Sequence, residues 1–319
     1  MAPKYRTSSE LHTAWQEDGV AVTLMGMSGV GKTTLARALS ANGWFHYSGD
    51  YRIGTHHLQE AMVDNLKVEA MKVPHLRRLL REDLIYIGVN LDVDDIRIMS
   101  EYLGTIRDPE NPDGLSIEEF RDRQDQYREA EIRSMLDVGR FVQKAKRVYG
   151  YRHFINDAGG SLCDIVDLSA TGLRTDPVLK HLGKRTLIVH IEASPESRAD
   201  LIRRSSDGPK PIYYRPEFLN AQLEPYMTHD AASGAATVDE KALPGRFQAI
   251  IFERLIGDRQ SRYEAVASAW GCTISDRDAG ELSELWLTNP QKKERAVLAT
   301  EIEKRFLDLV ADAIDRNEN

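Results

Sequence analysis

The sequence predicts an α/β protein built on a mainly parallel, five-stranded sheet. Three observations predict it. Short apolar, β-branched runs alternate with longer stretches of helical periodicity, the order that lays down a parallel sheet with helices on both faces. The first of those runs ends in a glycine-rich turn that leads straight into helix formers. Carboxylates recur just after the strand runs, where such sheets collect their ligands.

Taken in order, the first strand is expected at 20–25 (Val-Ala-Val-Thr-Leu-Met), with a helix over 34–40 that Asn42-Gly43 stops. The second strand is expected at 44–48, closing on Gly49-Asp50, and the third at 151–156, closing on Asp157-Ala158-Gly159-Gly160. The fourth is the run Thr-Leu-Ile-Val-His-Ile at 186–191, and a weaker fifth lies at 271–274. Between the second and third strands, residues 57–150 carry almost no strand periodicity. Helices are expected there at 76–84, 93–103 and 117–148. The capping box Ser116-Ile117-Glu118-Glu119 opens the last of these, after the turn Asn111-Pro112-Asp113-Gly114. Residues 243–319 read as mostly helical, with Ile302, Phe306, Leu307, Val310 and Ile314 spaced as a packing face. The expected organisation is a core begun by 1–56, a helical insertion over 57–150 that binds substrate or partner or covers a sheet edge, the core resumed over 151–230, and a helical C-terminal part over 231–319. The small-residue run Ala231-Ala232-Ser233-Gly234-Ala235-Ala236 reads as a loop or linker.

Chemistry concentrates in Gly26-Met27-Ser28-Gly29-Val30-Gly31-Lys32-Thr33, which fits the phosphate-loop pattern G-x-x-x-x-G-K-[ST] at every required position. Glycines let the backbone curl until its N–H groups aim at phosphate oxygens. Lysine brings a point charge, and the Thr33 hydroxyl is placed for Mg²⁺. Nucleotide-binding candidates are therefore Gly26, Ser28, Gly29, Val30, Gly31, Lys32, Thr33 and Thr34, joined by Arg215 from the arginine-bearing run further along. Asp157, at a strand end, is the candidate to hold Mg²⁺ with Thr33, although an Asp before Ala-Gly-Gly also suits a turn or helix cap. Asp50 is the candidate base or acceptor ligand, with an Asx turn as its plain alternative. The run Arg198–Pro216 begins helical and becomes a Pro/Gly loop. Arg203, Arg204 and Arg215 in it are candidates for a closing lid that stabilises transferring phosphate, against the alternative of a solvated surface loop. His46, His56 and His57 lie near Asp50, but adjacent histidines point in different directions, so a metal site is disfavoured.

These residues resemble the shikimate kinases and, in Ser48-Gly49-Asp50, the gluconate kinases. Gly31-Lys32-Thr33-Thr34-Leu35-Ala36-Arg37 is similar to the loop and first helix of shikimate kinases, including the arginine five residues after the lysine. Asp50, the Asp157-Gly160 loop, and Ser194-Pro195-Glu196 followed by Arg203, Arg204 and Arg215-Pro216 come in the order of that family's acidic motif, substrate loop and lid. The resemblance implies a P-loop NTPase three-layer sandwich, an ATP- and Mg²⁺-dependent kinase and a small-molecule acceptor. The insertion, the long C-terminal extension and a missing third glycine depart from those compact kinases, so the acceptor is not implied.

Bulk composition narrows the partners. Net charge is −8, which disfavours non-specific binding to nucleic acid or anionic membrane, while leaving room for local basic stripes at Arg77-Arg78-Arg81 and Lys144-Lys146-Arg147. The two cysteines, Cys163 and Cys272, fit no disulfide framework or metal spacing, which suits a reducing cytoplasm. The polar start of the chain predicts no leader, and no apolar run is of membrane-spanning length. Two other functions stay open: an ATP-hydrolysing protein working with a protein partner, and a kinase acting on nucleic acid. No N-K-x-D occurs, which disfavours a guanine-nucleotide switch.

Overall fold

The computed structural model describes residues 4–93, 95–206, 212–229, 236–288 and 292–318. The chain forms two compact units. The first comprises Met1–Gly49, Ile132–Asp207 and Phe252–Asn319; the second comprises Asp50–Glu131 and Gly208–Ile251.

The first unit is α/β and holds a five-stranded, all-parallel sheet. In chain order its strands are β1 (Ala21–Met25), β2 (Trp44–Ser48), β3 (His153–Asp157), β4 (Leu187–Glu192) and β5 (Gly271–Ser275). They lie in the order β2-β3-β1-β4-β5. Every residue of β1 and β3 is buried, as expected for strands covered on both faces. Side-chain alternation on β2 shows the two layers. Trp44 meets Phe306 of the C-terminal helix on one face, while Phe45 and Tyr47 meet Phe141 on the other. The labelled helices are α1 (Ser8–Gln16), α2 (Lys32–Ala41), α3 (Ile117–Arg147), α4 (Pro195–Ser206), α5 (Phe247–Trp270), α6 (Asp276–Leu287) and α7 (Lys292–Glu318). Of these, α2, α6 and α7 pack on one another, and α1 packs on α7.

The topology positions a site. The chain leaves β1 toward β2 on one side, then leaves β3 toward β4 on the other side of β1. The loops after β1 and β3 therefore diverge at the carboxyl edge, which is where a crevice opens in such sheets.

All five expected strands are present; the second falls at 44–48 as expected, and no end of the others is shifted by more than two residues. The third begins at His153 rather than 151 because Gly150, at φ +70°, turns the chain just before it.

The second unit is mostly helical. Helices Gln59–Met71, Pro74–Arg81 and Arg97–Leu103 precede the residues of α3 up to Glu131, and Pro216–Leu223 follows. Gln124 ties the returning chain down. Its side-chain amide donates to the Ile212 carbonyl, and its oxygen accepts from the Tyr214 amide at 2.7 Å. The helix Gln59–Met71 has no counterpart in the sequence expectation. Met62 is its one buried residue, so it shows no apolar stripe to read. The helix expected at 76–84 starts earlier, at Val73-Pro74, where proline takes the first turn. A short antiparallel ribbon, Met227–His229 with Ala236–Val238, was not anticipated either. Most of the expected linker 231–236, and 207–211 of the expected lid, lie outside the described residues.

Candidate active site

At the carboxyl end of β1 the backbone enters conformations that side chains resist. Gly26 has φ +147° and Gly31 has φ +91°. A Cβ on Gly26 would stand 2.5 Å from the Ile191 carbonyl oxygen, so no other residue fits there without movement. Gly31 then serves as N-cap of α2, and Lys32 and Thr33 open that helix with its unsatisfied amides toward the loop. Lys32 folds back over the turn, its Nζ donating to the carbonyls of Gly26 and Met27 at 2.8 Å each.

The Lys32 charge is felt one strand away. His190 of β4 pairs in register with Met25 and is 1% exposed. Burial, and secondarily Lys32, lower its pKa to about 4, so the ring is neutral at pH 7. It stacks on Tyr263 with centroids 5.2 Å apart.

Asp157 ends β3 and is buried. Its backbone is in register with Leu24 of β1 and Ser48 of β2. The His46 ring lies 3.8 Å from its carboxylate, and among the described residues the buried His46 Nε2 has no hydrogen-bond partner. The loop that follows is fastened from far along the chain. Tyr263 Oη donates to the Gly160 carbonyl at 2.6 Å, and the Arg262 guanidinium donates to the carbonyls of Cys163 and Val166. Arg259 Nε donates to the Asp164 carboxylate at 2.6 Å in a pair that is 2% and 0% exposed. Burial works against the Arg259 charge, but Asp164 holds its pKa above the usual arginine value. Residues 259, 262 and 263 share one face of α5, so a single helix clamps the whole loop. The clamped loop then meets the glycine loop: a Cβ on Gly160 would lie 3.3 Å from the Ser28 amide nitrogen.

The arginine candidates separate. Arg204 on α4 reaches the glycine loop, its Nη2 3.5 Å from where a Gly29 Cβ would be. With Gly29, Val30, Glu196 and Asp200 it lines a cleft of about 440 Å³. Arg203 is 78% exposed and pairs with Asp200. Arg215 belongs to the second unit, with its guanidinium over the Phe218 ring at 5.7 Å. Asp50 follows Gly49 in a short helical turn, Gly49–Arg52, and is the first residue of the second unit. That turn runs into a π-helical one, Ile53–His57, in which His56 and His57 meet edge to face. Among the described residues no cluster of three or more His, Cys, Asp or Glu could hold a metal.

Reading the sequence missed His190, the α5 clamp and the Gly160–Ser28 approach. The spacing of Arg259, Arg262 and Tyr263 was visible, but spacing alone says only that they share a face. No protein-family model and no curated protein matches this chain.

Proposed function

We propose that the chain is a P-loop kinase that uses ATP and Mg²⁺ to phosphorylate a hydroxyl of a small molecule. The observation that carries the reading is the pairing of a positive-φ glycine loop, with Lys32 turned over it, and a buried carboxylate, Asp157, on the adjacent strand at a topological switch point. The residues suit a nucleotide. The backbone at Gly26 tolerates no Cβ, and a buried amine and a buried carboxylate flank the same strand end. Bound Mg·ATP would supply the phosphoryl group and the charge that neutralises it.

In this reading Lys32 exchanges the Gly26 and Met27 carbonyls for β- and γ-phosphate oxygens. Thr33 and Asp157 would hold the metal, directly or through water. Arg204, already against the glycine loop, draws charge off the transferring group. Arg203 and Arg215 act only if the lid closes. Asp50, two residues after Ser48, orients or deprotonates the acceptor hydroxyl. Two buried free thiols and the absence, among the described residues, of any helix long and apolar enough to cross a membrane suit a cytoplasmic enzyme.

The test combines a thermal-shift screen of sugars, polyols, nucleosides and cyclitols, with a non-hydrolysable ATP analogue and Mg²⁺ present, and radiolabelled transfer from ATP. A stabilising acceptor that becomes labelled supports the kinase. Phosphate release with no labelled acceptor moves the reading to an ATPase.

A further inference from the structure

At the amino edge of the same sheet, opposite the glycine loop, lies a second surface. Between Arg140 and Arg152 the chain reads Arg-Phe-Val-Gln-Lys-Ala-Lys-Arg-Val-Tyr-Gly-Tyr-Arg, with no acidic residue. Arg140, Lys144, Lys146, Arg147 and Arg152 are all exposed, in a chain whose net charge is −8. The nearby acids offset part of this. Asp137 pairs with Arg140, Glu17 and Asp18 are exposed, and the buried Glu303 accepts from Trp15, Trp44 and Asn42. Arg152 donates to the Trp15 and Gln16 carbonyls and Lys146 to that of Asp18, which fixes these cations at the edge.

Aromatic rings sit among the cations. Tyr149 is 53% and Tyr151 37% exposed. Phe45 backs Tyr149 in a stack at 5.7 Å and 16°, and meets Tyr151 edge-on at 5.4 Å. The turn that presents them is fixed. The Tyr149 and Tyr151 amides donate to the Lys144 and Ala145 carbonyls, with Gly150 between them at φ +70°. Lys144 Nζ lies 5.6 Å from the Tyr149 ring centroid. Beside them opens a cleft of about 740 Å³ lined also by Trp15, Asn42 and His153.

We infer that this edge binds single-stranded nucleic acid, with phosphates on the Lys144–Arg152 cations and bases against Tyr149 and Tyr151. Cations track a phosphate backbone without sequence preference, and exposed, backed aromatic rings take unstacked base faces. A duplex hides those faces. A membrane surface also takes aromatic rings beside cations but wants a broader apolar face, and Val148 is the one aliphatic residue exposed in the run. The acidic total charge hides this surface from composition because the excess of cations is local.

Fluorescence anisotropy of the full chain with labelled twelve-residue oligouridylate and oligothymidylate tests it. Binding is expected at low salt, with log affinity falling at about −0.7 per phosphate contacted. Tyr149→Ala and Tyr151→Ala are each expected to weaken it at least about 5-fold. Lys144→Glu with Arg147→Glu, both on the exposed end of α3, should flatten the salt dependence; circular dichroism and melting temperature check that the fold is kept. Three results overturn the proposal: no binding at 50 mM salt up to roughly 100 µM protein, the range in which even weak electrostatic binding shows; binding indifferent to both tyrosines and matched by inorganic polyphosphate; or capture by phosphatidylserine vesicles without capture of the oligomers. None of these depends on whether ATP is hydrolysed or transferred.

Discussion

The loops after β1 and β3 lie side by side, and each contains glycines, yet they are built on opposite plans. The first holds itself. Its turn comes from positive-φ glycines, and Lys32 bonds carbonyls only six and five residues back. The second is held from outside, by Arg259, Arg262 and Tyr263, about a hundred positions later in the chain. A self-held loop can keep its shape while its lysine changes partner. A loop fastened through a buried ion pair has no such freedom, so it serves as the fixed wall against which the first can work.

The largest expected effect separates wall from worker. Arg259→Met leaves the Asp164 carboxylate buried with Arg262 at 3.5 Å as its remaining cation, and should cost about 3–5 kcal/mol of stability by urea unfolding. Adding Asp164→Leu should recover most of that loss. If the single variant unfolds like the wild type, the loop after β3 is not held by this pair. Lys32→Met should do the reverse: a melting temperature within a few degrees of wild type, but phosphoryl transfer or hydrolysis lowered by roughly 10²–10³. Retained turnover in that variant would remove the glycine loop from the chemistry.

His190 lies beside Met25 of β1 and stacks on Tyr263 of the clamp, and its titration gives the third test. The unfolded imidazole takes a proton near pH 6.5, the folded one only near pH 4. Between those values the unfolded state binds more protons, so stability should fall as pH drops from 6.5 to 4, by about 3 kcal/mol. Burial lowers His153 and His181 as well, adding to the fall in the same sense. His190→Gln should flatten the profile, measured by urea midpoints across that window; an unchanged slope would assign it to other groups. The smallest effect is Tyr263→Phe. It removes one hydrogen bond to Gly160 and should cost about 1 kcal/mol. If the β3 loop is the wall, KM for nucleotide should rise more in this variant than kcat falls.

The same contrast explains what the sequence disclosed. The glycines and the lysine that turn the first loop lie within eight contiguous residues, so motif and strand–helix context were both legible there. β1 and β4 announced themselves as buried apolar runs, and the more polar β2 and β3 and the weak fifth were placed too. The clamp was not legible because Asp164 and Arg259, read singly, look like solvated charges; only the fold makes them partners. Arg203 and Arg204 read as equivalent lid cations and both pair with Asp200, but one residue's step around the helix puts Arg204 against Gly29 and leaves Arg203 outside. The run Lys144-Lys146-Arg147 was noticed as a basic stripe, but averaging over the whole chain concealed its aromatic company.

The two thiols, finally, make a built-in clock. Cys163 sits inside the clamp and Cys272 inside β5, both wholly buried. Burial pushes Cys163 well above the ordinary thiol range and lifts Cys272 to about 12. Neither can react with a disulfide reagent while folded, so each labels only when its own surroundings open. The rate at Cys163 relative to Cys272 then reports how often the wall lets go while the sheet stays intact, with no probe added to the protein.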